Sequence, residues 1–397
     1  MEYIVESAKN LPIKGEYDVV VVGGGIAGIA AALAARRNGA KTLLIERSYL
    51  LGGLATAGLI AIYLPLCDGL GNQVSFGRAE ELLRLSVAYG EEGMPAKEWL
   101  NENGNLEKRK ATRFQTQFNP NVFAILCEQL LLKEGVEILY GTLLCSAVLD
   151  GNKVSAVITE NKNGRVAYKG KAFIDATGDA DLFWLSNAKT QVFSQGNVAA
   201  HWYYEYLNDE HVLRLFGFAD IPDKYKSKEN LEKDKRKRYT GLDSKELTDF
   251  ITYGHEQILQ NFLSKGQVHA KHALTSIASI PQVRMTRRID GVYTMNDEEA
   301  YQRFEDSVGL FSDWRKAGPV YELPFGCLYG DLDNAFACGR CISVTDDLWD
   351  VTRVIPVCAV SGQAVGTAAA LLKTTIKEME LDKLQNRLIE AGVKLHI

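Results

Sequence analysis

The sequence lacks a long hydrophobic run. Its 397 residues contain no uninterrupted apolar stretch of the roughly 18 residues that a helix needs to cross a bilayer. The opening segment MEYIVESAKNLPIKGEYD has no basic region followed by an apolar region, so no secretion signal is predicted. We therefore expect a soluble chain without a membrane partner.

The sequence also lacks an excess of positive charge. It carries 45 Lys and Arg against 50 Asp and Glu, a net charge of −5. The basic run at residues 224–238 is interrupted by acids, which is typical of a solvated helix face. Nucleic acid is therefore not expected as a partner.

Cysteine and histidine are few and form no metal pattern. The seven cysteines are an odd number and most lie in apolar stretches, which favours reduced, buried thiols and a cytoplasmic location. Cys338 and Cys341 form C-G-R-C, but no second pair stands at metal-site spacing, so no metal is expected and the pair is interpreted as structural. The six histidines show no catalytic-base pattern; His201, at the start of an aromatic segment, is either a packed histidine or a cavity residue.

A β-α-β unit is the first strong feature that is present. The β-branched run at residues 18–22 predicts a strand, the Ala-rich residues 26–38 predict a helix, and residues 41–45 predict a second strand. Such a unit in about thirty residues predicts a right-handed crossover within a parallel sheet.

Three glycines in this unit stand at the spacing G-x-G-x-x-G. Gly23 allows the tight turn, Gly25 lets a pyrophosphate approach the backbone, and Gly28 lets the helix pack on the strand. Glu46 ends the second strand, where a carboxylate can accept from ribose hydroxyls and disfavours a 2′-phosphate. The pattern predicts dinucleotide binding; the alternative is a glycine-rich turn in another α/β fold. The small-residue loop that ends at Gly58 favours FAD over NAD.

The rest of the chain predicts a discontinuous arrangement. Residues 121–133 have helical spacing, and residues 137–176 alternate as in a β-meander. Aromatic residues between 202 and 206 and helical patterns at 244–265 and 296–307 then change the character of the chain. A strand at Ala335–Ala337 and a long helix at 357–373 return to the first pattern.

We therefore predict an α/β fold. A Rossmann-type FAD-binding domain, with a parallel sheet plus a β-meander, would carry an inserted α+β cap domain. The predicted FAD-binding segments are 1–75, 116–190 and 324–397, and the predicted substrate or cap segments are 76–115 and 191–323.

Four ordered blocks make the chain resemble the FAD-dependent oxidoreductases of the glutathione reductase-like superfamily, within it the bacterial "FAD-dependent oxidoreductase" group. The resemblance spans about residue 10 to residue 373. The blocks are DVVVVGGGIAGIAAALAARRNGAKTLLIE with LLGGLATAGLI, FNPNVFAILCEQLLLKEGVEILYGTLLCSAV with KAFIDATGDADL, PQVRMTRRIDGVY, and NAFACGRCISVTDDLWDVTRVIPVCAVSGQAVGTAAALL.

The resemblance implies non-covalently bound FAD and a set of contact residues. The ribose and adenine would lie near Glu46 and Arg47, and the helix after Pro356 would point its N-terminus at the flavin N1–C2=O edge, where reduction places negative charge. The full set of implied cofactor residues is Gly23, Gly25, Ile26, Ala27, Gly28, Glu46, Arg47, Gly53, Leu54, Ala55, Thr56, Ala57, Gly58, Leu144, Ala176, Thr177, Gly178, Gly339, Arg340, Val354 and Gly362. For Gly362, plain helix packing is an equal alternative.

The candidate reacting residues come from the third and fourth blocks. Arg287 and Arg353, like their neighbours Arg284 and Arg288, could bind a substrate carboxylate or pair with an acid. The TDDLWD stretch stands where many relatives carry a histidine, so Asp347 is a candidate acid or base; the alternative is a solvated acidic loop.

The expected function is transfer of a hydride between a small organic substrate and flavin N5, with the substrate, the electron acceptor and the oligomeric state left open. No second G-x-G-x-x-G is present, so a separate NAD(P)H-binding domain is not expected. The alternatives are a non-redox or biosynthetic enzyme on the same fold and a non-catalytic FAD-binding protein.

Overall fold

The computed structural model describes residues 2–5, 7–95, 97–101, 104–111, 115–218 and 221–397. The strands are β1 (Ile13–Val22), β2 (Thr42–Ile45), β3 (Ile62–Tyr63), β4 (Thr116–Gln117), β5 (Glu137–Leu139), β6 (Leu143–Asp150), β7 (Lys153–Asn161), β8 (Gly164–Asp175), β9 (Thr190–Val192), β10 (Ala200–Leu207), β11 (Glu210–Gly217), β12 (His272–Ile277), β13 (Arg287–Ile289), β14 (Ser307–Ser312), β15 (Val320–Pro324) and β16 (Ala335–Ala337). The α-helices are α1 (Ile26–Arg37), α2 (Arg78–Ser86), α3 (Lys97–Leu100), α4 (Leu106–Ala111), α5 (Pro120–Glu134), α6 (Asp181–Leu185), α7 (Lys228–Lys233), α8 (Ser244–Leu263), α9 (Asp346–Thr352), α10 (Ile355–Leu371) and α11 (Leu381–Glu390).

A seven-stranded sheet forms the centre of the fold. Its parallel part has the order β5-β2-β1-β8-β16, with Val20 paired to both Leu43 of β2 and Phe173 of β8. β7 and β6 continue the sheet from β8 as antiparallel strands. The prediction of a Rossmann-type parallel sheet plus a β-meander is therefore confirmed. All parallel strands end at the same edge, where α/β folds bind ligands.

Helices α1 and α10 cover one face of the sheet and pack closely on each other. Glycines make this contact possible, because a Cβ at Gly362 would lie 2.2 Å from the Ala27 carbonyl oxygen and one at Gly366 would lie 2.2 Å from that of Ala31. Every residue of α1 up to Ala35 is buried. The helix is therefore apolar on all sides and belongs to the main core.

A second, smaller sheet has the order β11-β10-β12 and lies in the predicted cap. Helix α8 packs on it through Phe250, Ile258 and Phe262, which are buried at helical spacing. Asp243 caps this helix by accepting from the amides of Lys245 and Glu246.

Two segments that the sequence assigned to the cap pack in the main core instead. The β14–β15 hairpin contributes Val308, Phe311 and Leu323 to the hydrophobic cluster of α1 and α10, and the predicted boundary at residue 324 falls on its last residue. Helix α2 contributes Leu82 to the same cluster and contacts α10. Local sequence patterns could not show this, because the contacts join residues far apart in the chain.

The predicted helix at residues 296–307 is wrong. Residues 296–306 form turns, and Tyr301 has a left-handed φ of 64°. The Asn296 side chain accepts from the Glu298 amide, and the Glu299 carboxylate accepts from the Asn296 amide and the Tyr293 hydroxyl. These local side-chain bonds compete with the backbone bonds of a helix.

The basic run contains one short helix, α7, rather than a long helical face. Around it, Arg236, Arg238 and Lys226 surround Asp234, with N···O distances of 2.6, 3.0 and 3.5 Å. The hydrogen bond from Arg236 is the largest cause that lowers the pKa of Asp234. Three of the basic side chains of the run are therefore paired with one of its interspersed acids.

In the described part of the chain, no single helix is both long and apolar enough to cross a membrane. Only α9 and α10 taken together reach that length and composition, and they meet at a 91° bend.

Candidate functional site

A cleft of about 530 Å³ lies at the carboxyl edge of the parallel sheet. This volume is within the range of small-molecule and cofactor sites, roughly 300–1,000 Å³. The cleft contains most of the residues that the resemblance assigned to the cofactor: Gly23, Gly25, Ile26, Ala27, Glu46, Arg47, Gly53, Leu54, Ala55, Leu144, Ala176, Thr177, Gly178, Gly339 and Arg340.

The glycine turn after β1 has the geometry that a close cofactor approach requires. Gly23 has a φ of 104°, and a Cβ there would lie 2.4 Å from the Ala176 carbonyl oxygen. A Cβ at Gly28 would lie 1.9 Å from the Gly23 carbonyl oxygen, so Gly28 acts in packing and does not line the cleft. A Cβ at Gly25 would meet no atom within 4 Å. Gly25 therefore leaves open space in front of α1.

The N-terminus of α1 borders this open space. No side chain of the described residues caps it, and its first turn contains no acid. The first N–H groups of a helix have no partner within the helix and attract anions. The cleft therefore fits a diphosphate at this position.

Glu46 is held rigidly beside the glycine turn. Its Oε2 accepts from the Gly24 amide at 2.6 Å, and its Oε1 accepts from the amide and the hydroxyl of Ser48 at 2.7 and 2.8 Å. Glu46 is buried, with 8% of its surface exposed. Its carboxylate retains lone pairs that can accept from a ribose hydroxyl.

The loop after Glu46 follows α1 along the cleft. The Gly52 amide donates to the Gly24 carbonyl at 2.8 Å, and Gly53–Ala55 forms a 3₁₀ turn that faces the cleft. The predicted contacts Thr56, Ala57 and Gly58 lie behind this turn and do not line the cleft. They support it: the Thr56 hydroxyl donates to the Leu51 carbonyl, and a Cβ at Gly58 would lie 2.7 Å from Leu54 Cα.

Two carboxylates, Asp179 and Asp181, line the cleft after β8. Burial, followed by the negative charges of Asp179 and Asp175, raises the pKa of Asp181 to about 6, while Arg287 acts in the opposite direction. Asp181 therefore changes charge within the range in which most enzymes are assayed.

Arg340 crosses the middle of the cleft. It donates to the carbonyls of Val283 and Arg284 at 3.2 and 2.9 Å, and its Nη2 lies 3.4 Å from Asp179 Oδ1. The preceding Gly339 has a φ of 67°, and a Cβ there would lie 2.8 Å from Ala27 Cβ. The backbone just before Arg340 is therefore next to the first turn of α1.

Helix α10 begins at the other end of the cleft. Ile355 and Cys358 line the cleft, whereas Val354 and Gly362 do not. Among the described residues no side chain caps this helix. For Gly362, the contact with Ala27 favours the packing alternative over direct cofactor contact. The N-terminus of α10 thus provides a second region of positive potential along the cleft.

The candidate catalytic residues have different positions. Arg353 lines the cleft, immediately before α10, and pairs with Asp350. Arg287 lies behind the cleft wall, where it donates to Asp181 Oδ1 at 2.7 Å and to the Asp179 carbonyl at 2.9 Å. This position makes Arg287 a support for the two carboxylates, and it does not favour contact with substrate.

Asp347 lies outside the cleft, so its position does not favour the acid or base role. Its carboxylate is 3.5 Å from Lys224. The stretch is also not a solvated loop: it forms α9, Asp346 accepts from Ser194, and Asp350 is buried.

His201 and the C-G-R-C pair are buried, and of these residues Cys338 also borders the cleft. His201 packs against Phe250, its Nε2 has no hydrogen-bond partner among the described residues, and burial lowers its pKa to about 4. Cys338 and Cys341 are free thiols, fully buried, and Cys341 Sγ accepts from the Ala180 amide at 3.2 Å. Burial raises the pKa of both thiols, which favours the structural interpretation.

Sequence reasoning missed just over half of the residues that line the cleft. The missed residues near the sheet adjoin predicted ones, so their signal was present: Val22, Ile45, Ser48, Gly52, Thr142, Leu143, Asp179, Asp181, Cys338, Ile355 and Cys358. Of the missed residues from the predicted cap, Pro281, Val283 and Thr286 lie in the third block of the resemblance, where only the arginines were singled out. The others carry no motif: Gly241, Leu247, Ser279 and Ile280.

Comparison with known proteins gives a family match over most of the chain. The family described as FAD dependent oxidoreductase matches residues 18–201 and 204–388. The thioredoxin reductase of Ureaplasma parvum serovar 3 is 32% identical over 72 residues, 18% of this chain and 23% of that protein. The NADH:fumarate oxidoreductase of Klebsiella pneumoniae is 26% identical over 199 residues, 44% of this chain and 21% of that protein. The chain thus matches about a fifth of the length of these relatives.

Solved structures are similar over nearly the whole chain, and one of them reaches a TM-score of 0.50. It is a geranylgeranyl bacteriochlorophyll reductase-like protein from Thermoplasma acidophilum, with 14% identity, covering 95% of this chain and 82% of that one. At this identity the likeness shows a shared fold.

Proposed function

This chain belongs to the FAD dependent oxidoreductase family, and on that premise we propose that it catalyses hydride transfer between a small organic substrate and flavin N5. FAD supplies the two-electron chemistry when it is bound, and the protein binds, orients and excludes water. One observation carries the proposal: a single cleft runs from Glu46, past the bare Gly25 at the start of α1, to Arg353 at the start of α10.

The proposed cofactor contacts follow the cleft. Glu46 and Arg47 would hold the adenosine end, and the N-terminus of α1 with Gly25 and Arg340 would hold the diphosphate. The turn at Gly53–Ala55 and the N-terminus of α10 would hold the flavin end.

We propose that the substrate lies between the flavin end of the cleft and the cap. Ile280, Pro281 and Val283 form an apolar wall there, which would exclude water from the reacting atoms. We retain the FAD-binding segments 1–75, 116–190 and 324–397 and propose that α2 and the β14–β15 hairpin belong with them, because both pack in the main core. The remaining parts of 76–115 and 191–323 would form the cap.

The absorbance spectrum of the purified protein, followed by anaerobic mixing with hydroxy acids, amines, sugars and thiols, tests this function. Bound FAD gives flavin absorbance bands, and a substrate of the expected type bleaches them. Flavin bands that no donor class bleaches would contradict hydride transfer and favour the non-redox or non-catalytic alternatives. A protein that cannot be reconstituted with FAD would contradict the cofactor proposal itself.

A further inference from the structure

Two arginines and one aspartate meet at the α10 end of the cleft. Arg353 lines the cleft, Asp350 pairs with it, and Arg284 interacts electrostatically with both. We refer to Arg284, Asp350 and Arg353 as the arginine cluster. Asp350 also lies 3.8 Å from Arg315, which pairs with Asp313. Three guanidinium groups against two carboxylates leave this region with a net positive charge.

Arg353 is only partly engaged by its partner. Its Nε and Nη2 donate to the same oxygen, Asp350 Oδ1, at 3.0 and 2.5 Å. Its Nη1 donates to no atom of the described residues. Packing against Trp314, 5.8 Å from the ring centroid, helps to fix the plane of the guanidinium. The Arg353 guanidinium is therefore fixed in position and has free N–H groups beside the cleft.

Arg284 supplies a second positive charge that nothing nearby neutralises directly. It is 7% exposed, and no carboxylate of the described residues lies within 4.0 Å of its guanidinium. Its Nη1 donates to the carbonyls of Ala200 and Gln282 at 3.3 and 3.0 Å. A buried charge without an ionic partner is unfavourable, so an anion bound at the cluster would be strongly attracted.

The cofactor diphosphate has other donors. The N-terminus of α1 and Arg340, which follows Gly339 against Ala27, lie together at the middle of the cleft. Arg284 adjoins these donors, since Arg340 donates to its carbonyl at 2.9 Å, whereas Arg353 lies two residues before α10. The apolar Ile355, two residues after Arg353, lines the cleft, as do Leu247 and Ile280. An anionic head with an apolar body would satisfy both features.

We propose that the substrate is a small carboxylate with an apolar body and that Arg353 binds its carboxylate group. This inference rests on the proposed hydride transfer and specifies its substrate class. A planar guanidinium matches a carboxylate through two parallel N–H···O bonds, which also fixes the orientation of the bound molecule. Arg284 strengthens the attraction from behind without contacting the substrate.

The test is a titration of the FAD-loaded protein with acetate, butyrate and benzoate, each matched by its neutral amide, at fixed ionic strength. Binding beside the flavin changes its absorbance spectrum. We expect saturable changes with carboxylates and none with amides. Arg353→Gln should weaken carboxylate binding by about tenfold or more, a loss of about 1.4 kcal/mol or more. The carboxylate affinity of Arg353→Lys should lie between those of Arg353→Gln and the wild type. Lysine keeps the positive charge but loses the two parallel N–H donors of the guanidinium. Arg84→Gln, at an exposed arginine paired with Glu80, is the matched control and should bind like the wild type.

Three results would overturn the inference: amides that bind as well as carboxylates, inorganic phosphate that binds more tightly than any of the carboxylates, or an Arg353→Gln variant with unchanged carboxylate affinity. If Arg353→Gln leaves the carboxylate affinity unchanged and shifts only the flavin midpoint potential, Arg353 stabilises the reduced flavin and does not bind the substrate. If neutral donors reduce the flavin, and Arg353→Gln does not change that reduction, hydride transfer is supported and the carboxylate substrate class is contradicted. If carboxylates bind but no donor reduces the flavin, the proposed hydride transfer is contradicted and the carboxylate site remains.

Discussion

Gly25 stands where the proposed cofactor diphosphate would approach α1. Its φ of −69° is open to any amino acid, and a Cβ there would meet no protein atom within 4 Å. The glycine is therefore unnecessary for folding and necessary only for the space in front of the helix. Gly23, with a φ of 104°, is different because its conformation itself requires glycine.

We predict that Gly25→Ala and Gly25→Ser both weaken FAD binding by about 100-fold, or about 2.7 kcal/mol, because a methyl or hydroxymethyl group fills the phosphate site. Fluorescence titration of the apoprotein with FAD measures this loss. Each variant serves as a control for the other. Serine is a good N-cap and alanine a poor one, so the apoproteins should differ in stability by about 1 kcal/mol while both lose FAD affinity. Tight FAD binding by either variant would contradict the assignment of the phosphate site.

Asp181 should make cofactor binding depend on pH. Burial and the neighbouring carboxylates raise its pKa to about 6, so it is neutral below that pH and negative above it. A negative Asp181 in the cleft repels the FAD diphosphate, so FAD should bind more tightly at pH 5 than at pH 7.5.

The raised pKa of Asp181 also makes apoprotein stability decrease as the pH rises. Because the folded-state pKa of Asp181 is above its unfolded value of 3.8, its contribution to apoprotein stability is greatest below pH 3.8 and decreases as pH rises to about 6. Asp181→Asn should remove both dependences, which FAD titrations and urea unfolding at several pH values measure. An unchanged pH profile in this variant would exclude Asp181 as the titrating group.

At the scale of single elements, α10 connects the core to the cleft. Its glycines touch the α1 backbone, and its first turn contributes Ile355 and Cys358 to the cleft. The spacing between α1 and α10 therefore sets the relative position of the two helix N-termini.

We predict that Gly362→Ala destabilises the protein by about 1–3 kcal/mol, since its Cβ would lie 2.2 Å from the Ala27 carbonyl oxygen and force the helices apart. At an exposed helix position the same change would stabilise by up to about 1 kcal/mol, so the sign of the effect is diagnostic. Urea unfolding gives the stability, and the FAD off-rate reports any displacement of α10. A stabilised variant would show that the two helices do not pack as described.

At the scale of the whole molecule, a backbone hydrogen bond joins the proposed cap to the loop at residues 53–58. The Ser279 amide donates to the Ala57 carbonyl at 2.9 Å, and the Ser279 hydroxyl lies 3.4 Å from the same oxygen. This contact holds Ile280 and Pro281 over the cleft.

We predict that Ser279→Pro, which removes the amide donor, increases the FAD dissociation rate by about tenfold, equivalent to about 1.4 kcal/mol. Ser279→Ala retains the amide, loses only the weak hydroxyl contact, and should behave like the wild type. Stopped-flow release of FAD, followed by flavin fluorescence, compares the three proteins. Equal rates in the proline variant and the wild type would show that the cap does not close the cleft through this bond.

The parts of the fold that local patterns encode could be predicted well. Helix α1 and strand β2 begin or end within one residue of the predicted bounds, and β16 has the predicted bounds, because glycine turns and apolar periodicity are properties of neighbouring residues. The helix predicted at 296–307 failed because side chains such as Glu299 bind the backbone there. No periodicity shows such a competition.

The sequence by itself determined the dinucleotide fold and the glycine-and-acid end of the cleft, since those residues are close in the chain and their spacing reflects one β-α-β unit. Only the tertiary structure decided which arginine faces the cleft. Arg287 and Arg353 are equivalent as residue types, but Asp181 holds the first behind the wall, and the turn into α10 places the second beside the cleft. The cap wall was likewise decided by folding, because contacts between residues more than two hundred positions apart, such as Ser279 with Ala57, leave no local pattern.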